Sequence, residues 1–244
     1  MRTGTAERKV HGVLFDLDGT LLDTLEDLVA SANFALAEEG LPLSTHAEMR
    51  SYISGGARSM LSYWVVKVVE QRSPMPYPVT NTVAEAYRPL FERLVTRMMD
   101  HYEKNPAHHT RYFGGMEAVL EDIERREIPW GIVTNKRERF TLPLVKALGI
   151  ASRTRCIISG DTTAEAKPHP LPLLEASSRL GIAPEHCVYI GDAARDIEAG
   201  RRAGMMTLAA LYGYLNSEED VDSWGADDAL ETPLDLLQWM EHQE

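Results

Sequence analysis

The chain has 244 residues, 44% of them hydrophobic and 25% charged, enough to bury one large core or one core with a smaller companion. Twenty-five basic against 37 acidic residues leave a formal charge of -12, which repels nucleic-acid backbones and anionic lipid, and no long basic run offsets it. The polar stretch 1–10 does not read as a signal peptide, and the apolar run after it is cut by Asp16 and Asp18 well short of a membrane span.

The first apolar run, Val10 to Phe15, reads as a strand and ends on Asp16-Leu17-Asp18-Gly19-Thr20. In extended chain, residues two apart point the same way, so both carboxylates face one site at the carboxyl end of a strand, where ligands of open parallel sheets bind. A calcium loop of the EF-hand kind also starts Asp-x-Asp, but it needs glycine sixth and glutamate twelfth, where this chain has Leu21 and Asp27. From Leu25 to Arg111 no strand pattern appears. Leu25, Leu28, Val29, Ala32 and Leu36 instead recur at helical spacing, and the prolines of Ser73-Pro74-Met75-Pro76-Tyr77-Pro78 demand a loop between helices. Ile53-Ser54-Gly55-Gly56-Ala57-Arg58 suits either a turn or a phosphate contact through Gly56 and Arg58.

After Gly114-Gly115 a helix is predicted to Arg126, and Trp130 to Val133 is the next strand. It ends on Thr134-Asn135, which open a helix carrying Phe140, Leu144, Val145 and Leu148. A hydroxyl and main-chain N–H groups there suit a phosphate oxygen as well as an ordinary helix cap. Lys136, Arg137 and Arg139 read as a solvated face that adds local positive potential. Cys156 to Ser159 is a third strand, and Lys167 follows, kept extended by Pro168 and Pro170. Cys187 to Ile190 is a fourth; the helix after it is expected to hold Asp192 and Asp196 one turn apart, as metal ligands or with Asp192 as a cap. Met206 to Ala209 is a fifth strand, and Leu234, Leu237 and Met240 mark a last helix. Cys156 and Cys187 adjoin β-branched runs and read as buried, unpaired thiols, which fits a reducing cytoplasm.

Strands alternating with helices predict an α/β fold, a doubly wound, Rossmann-like parallel sheet. It comprises residues 1–24 and 112–244, with a helical domain, 25–111, inserted after the first strand.

The order Asp-x-Asp-Gly-Thr-Leu-Leu-Asp-Thr, Thr134, Lys167 and Gly-Asp-x-x-x-Asp, each after its own strand, resembles the haloacid dehalogenase superfamily over essentially the whole chain. The helical insert resembles that superfamily's class I cap, hinged near Thr24 and Arg111. Val133-Thr134-Asn135-Lys136, Lys167-Pro168-His169-Pro170 and Tyr212-Gly213-Tyr214 are similar to the phosphoglycolate phosphatase branch. Residues Ile53 to Arg58, Trp130 to Lys136 and Trp224-Gly225-Ala226-Asp227 also look like the N-acetylmuramic acid 6-phosphate phosphatases.

The resemblance implies a Mg2+-dependent phosphatase working through an aspartyl phosphate on a small phosphorylated metabolite, 2-phosphoglycolate before N-acetylmuramic acid 6-phosphate. A β-phosphoglucomutase-like phosphomutase is the alternative of another class. It makes Asp16 the nucleophile and a metal ligand, and Asp18 the acid and base, with its carbonyl also on the metal. Asp192 completes the metal site. Thr134 and Asn135 would hold the phosphoryl group, Lys167 would bridge Asp16 and phosphate, and Asp196 would orient Lys167 or a metal-bound water. Ala193 departs from the polar residue many relatives carry there. A cytoplasmic monomer or homodimer without nucleic-acid or membrane partners is expected.

Overall fold

The computed structural model describes residues 9–75, 81–216 and 220–243, so residues 76–78 of the proline-rich stretch lie outside the described residues. The chain separates into two compact units, one of residues 9–22, 112–213 and 220–243 and the other of residues 23–111 with 214–216.

The first unit is an α/β layer structure. β1 (Gly12–Phe15) carries Val13, Leu14 and Phe15, all fully buried. Successive strand residues point to opposite faces, so burial of neighbours means that both faces are covered. The short β2 (Leu22–Asp23) leads into the second unit. That unit is helical: α1 (Leu25–Glu38), α2 (His46–Met49), α3 (Gly56–Trp64) and α4 (Arg88–Lys104). α1 packs along α4, burying Leu28, Val29, Ala32 and Leu36 of one and Phe91, Leu94 and Met98 of the other. At about 1.5–3 kcal/mol per buried large apolar side chain, this seam is what holds the helical unit together.

The chain returns through β3 (Arg111–Tyr112), which with β2 makes a two-stranded sheet. It then alternates: α5 (Met116–Arg125), β4 (Trp130–Val133), α6 (Glu138–Ala147), β5 (Cys156–Ile158), α7 (Leu171–Leu180), β6 (Cys187–Gly191), α8 (Ala194–Ala203), β7 (Met206–Ala210), β8 (Asp228–Leu230) and α9 (Asp235–Glu241). Six strands form one parallel sheet in the order β5-β4-β1-β6-β7-β8. The chain moves outward from β1 through β4 to β5, then recrosses to β6 on the other side. The switch point therefore lies between β1 and β6, which is where ligands of such sheets bind, outside the carboxyl ends of the strands. Phe15 pairs with Ile190, so Asp16 and the loop after Gly191 emerge side by side at that point.

Cys156 and Cys187 are buried and unpaired, and burial pushes each thiol up to about 11. No helix among the described residues is long and apolar enough to cross a membrane.

Candidate active site

Asp16 extends the β1 ladder by one bond, its N–H donating to Ile190 O at 2.9 Å. The chain then closes a tight loop. Leu21 N and Leu22 N both donate to Leu17 O and Gly19 N donates to Leu22 O, with Gly19 at φ 89°, a region that costs side-chain-bearing residues roughly 1–2 kcal/mol. Asp16 is 3% exposed. Burial raises its pKa above the usual carboxylate value, opposed by the Lys167 ammonium and reinforced by Asp196.

Lys167 precedes α7, and its side chain is buried. Nζ lies 2.9 Å from Asp16 Oδ1 and 2.7 Å from Asp196 Oδ1, and it donates to Val133 O at 2.8 Å and to the Tyr189 hydroxyl at 2.7 Å. Its main chain is clamped by Asn135, whose Nδ2 donates to Lys167 O at 2.9 Å while Oδ1 accepts from Lys167 N at 3.0 Å. The Asn135 amide is thus engaged in fixing the backbone of the lysine.

The expected helical spacing of Asp192 and Asp196 does not hold. α8 begins at Ala194 after an extended Ala193, so Asp192 lies ahead of the helix on the exit from β6. Nor does Asp192 provide the cap: Asp196 Oδ2 reaches back to accept the Ala193 N–H at 3.1 Å. Strand exit and first helical turn still bring the two carboxylates together. Asp16, Asp192 and Asp196 are all buried, and one ligand oxygen from each falls within 4.8 Å of the others. Gly213 stands directly against Asp192, where a Cβ would collide with Asp192 Cβ and the Gly19 carbonyl.

Thr134 is buried at the end of β4, its hydroxyl accepting from Lys136 N at 3.1 Å. Lys136 itself is a correction to the solvated-face reading. Its side chain is 9% exposed and Nζ donates to Asp18 Oδ1 at 2.8 Å. The sequence reading missed both Lys136 and Tyr189. Tyr189 lies mid-strand, where an aromatic reads as core, but Lys136 stands two residues beyond a strand exit, the same offset that put Asp18 beside Asp16.

Gly56 and Arg58 belong to the helical unit. Gly56 opens α3, while Arg58 Nη1 donates to Glu92 Oε2 at 3.0 Å and its guanidinium lies 5.1 Å from the centre of the Phe91 ring.

The acidic centre suits a hard cation. Its donors are all oxygens, three buried carboxylates face one buried ammonium, and Asp16 Oδ1 has no hydrogen-bonding partner of suitable geometry among the described residues. Asp196 is engaged by Lys167 and the Ala193 N–H, Asp16 lies against the same ammonium, and Asp192 accepts from the Thr20 hydroxyl at 3.5 Å.

Residues 13–210 match a family model described as haloacid dehalogenase-like hydrolase. Over 226 residues the chain is 42% identical to a phosphoglycolate phosphatase of Xanthomonas campestris pv. campestris (strain 8004), with 93% of this chain and 94% of the relative covered. Over 228 residues it is 38% identical to an N-acetylmuramic acid 6-phosphate phosphatase of Pseudomonas putida, with 93% and 95% covered. A solved structure of a predicted phosphoglycolate phosphatase from Haemophilus somnus 129PT has a TM-score of 0.78 at 26% identity, covering 97% of this chain and 99% of that one.

Proposed function

The chain belongs to the haloacid dehalogenase-like hydrolases, and on that premise we propose that it is a Mg2+-dependent phosphatase in which Asp16 attacks the phosphorus of a small metabolite monoester. The observation that carries this reading is the Asp16 carboxylate, buried at the switch point of the sheet between a buried ammonium and two further carboxylates. Asp16, Asp192 and the Asp18 main-chain carbonyl would hold Mg2+, which when bound neutralises the negative charge of the phosphate.

The chemistry divides one hard hydrolysis into two displacements. An Asp16 oxygen attacks phosphorus while the bond from phosphorus to the alcohol oxygen breaks, and Asp18 gives that oxygen its proton. Asp18, now a carboxylate, takes a proton from water as the water oxygen attacks the aspartyl phosphate. The bond from phosphorus to Asp16 breaks and inorganic phosphate leaves. Lys167 balances the charge on the transferring oxygens, and Asn135 acts here by fixing the Lys167 main chain. The Thr134 hydroxyl and neighbouring N–H groups receive a phosphoryl oxygen, while Lys136 sets the direction of the Asp18 carboxylate. The helical unit serves as the cap that selects the substrate.

The first-choice substrate is 2-phosphoglycolate, on the Xanthomonas relative. The Pseudomonas putida relative, 38% identical, favours N-acetylmuramic acid 6-phosphate as the second reading. Phosphate release from a panel of phosphorylated metabolites containing both esters, with Mg2+ and with chelator, tests the reading. A kcat/KM at least about tenfold higher for 2-phosphoglycolate is expected. The reverse preference reassigns the substrate, an isomer in place of inorganic phosphate indicates a mutase, and no turnover of any ester sinks the phosphatase.

A further inference from the structure

An ammonium has three N–H bonds, yet four oxygens surround Lys167 Nζ within hydrogen-bonding range. They are Val133 O at 2.8 Å, the Tyr189 hydroxyl at 2.7 Å, Asp196 Oδ1 at 2.7 Å and Asp16 Oδ1 at 2.9 Å. The Tyr189 hydroxyl donates its own proton to Val133 O at 2.9 Å, so toward Lys167 it acts only as an acceptor. Val133 O and Tyr189 thus take two of the three N–H bonds in good geometry. Asp196 Oδ1 and Asp16 Oδ1 both lie within reach of the third, so the two well-placed acceptors hold the ammonium against both carboxylates.

We propose that Tyr189 is a positioning residue for Lys167: its phenol oxygen holds the ammonium by one N–H, so that the lysine's charge stays directed at Asp16. The inference rests on the reading of Asp16 as nucleophile. Tyr189 is fully buried and its ring lies 5.4 Å from Nζ, so nothing but protein competes for its oxygen. Its second contact, to Asp196 Oδ1 at 3.4 Å, ties it to the other carboxylate that faces the lysine. With the phenol oxygen removed, one N–H of Lys167 loses its acceptor and the ammonium is free to turn away from Asp16.

The test is Tyr189→Phe, which deletes one oxygen and keeps the ring, assayed with Mg2+ on 2,4-dinitrophenyl phosphate well below the variant's own melting midpoint. A fall in kcat of about tenfold to a hundredfold is expected, the effect of one hydrogen bond to a charged group, with KM held within about twofold. Because Tyr189 acts through Lys167, the same change in a Lys167→Met background should alter the residual rate by less than about twofold. A wild-type-like kcat in Tyr189→Phe, or an equal loss in both backgrounds, overturns the proposal while leaving the phosphatase reading intact. Wild-type protein that hydrolyses no ester overturns that reading first, and this inference with it.

Discussion

At the scale of single residues, the site is a problem of crowded charge. Burial and Asp196 both disfavour the ionised form of Asp16, and Lys167 only partly compensates. Asp16→Asn keeps the shape and removes the charge. Phosphate release is expected to drop by at least about a thousandfold, the usual consequence of losing a covalent nucleophile. The thermal midpoint should hold or rise, because the substitution relieves an unfavourable burial. Turnover persisting in purified Asp16→Asn would remove the nucleophile from the proposal. A second residue, Asp27, is buried for a different purpose: it accepts the N–H of His109 and both the N–H and hydroxyl of Thr110, at 2.6 to 3.1 Å, fastening the end of the helical unit's last loop to α1. Asp27→Ala strands these donors and is expected to cost about 2–4 kcal/mol. Urea unfolding measures it, and a loss below about 1 kcal/mol would mean that water replaces the carboxylate freely.

Among elements, the short helix α2 shows how local chemistry tunes stability with pH. Thr45 and Glu48 form a reciprocal capping box, and Glu48 also accepts from Lys67 Nζ at 2.6 Å. The Lys67 hydrogen bond, with those from Thr45, lowers the Glu48 pKa from 4.5 to about 2. A depressed carboxylate stabilises the fold fully above its unfolded value and loses that contribution as pH falls through the folded one. The pair is a third or more exposed, which screens its worth to about 1 kcal/mol. Wild type should therefore exceed Glu48→Gln in urea resistance at pH 7, by a margin that shrinks between pH 4.5 and 2. A margin that does not change over that range would place the stabilisation in packing.

The same elements show what periodicity can reveal. β1, β4, β5, β6 and β7 were legible to within about two residues because strands covered on both faces are continuous apolar runs. β2, β3 and β8 were not, being two or three residues long and, in Asp228–Leu230, mostly exposed at the sheet edge. Asp16 and Asp192 stand directly after β1 and β6, as their places in the sequence suggest, whereas Lys167 lies well past the end of β5 and nothing in the sequence singles out Tyr189. Its chemistry depends on where the Lys167 side chain runs, and no local pattern encodes a contact 22 residues away.

For the whole molecule, the division into two units gives metal binding a signature separate from turnover. Asp16, Asp192 and Asp196 all belong to the α/β unit, and none to the helical one. A ligand that binds only folded protein stabilises it by RT ln(1 + [L]/Kd), about 2.7 kcal/mol at a hundredfold excess over Kd. For a unit of this size that is a rise in melting midpoint of roughly 5–10 °C. Mg2+ is expected to shift the α/β transition and, where the units melt separately, to leave the helical transition in place. Asp192→Asn should abolish the shift. Gly213→Ala should reduce it, because the added Cβ must push Asp192 or the Gly19 carbonyl aside. Scanning fluorimetry with Mg2+ and with chelator reads all three proteins without any substrate. An equal rise in Asp192→Asn would move the cation away from the switch point of the sheet, whereas its loss there, together with a smaller shift in Gly213→Ala, would tie the site to the geometry that Gly213 protects.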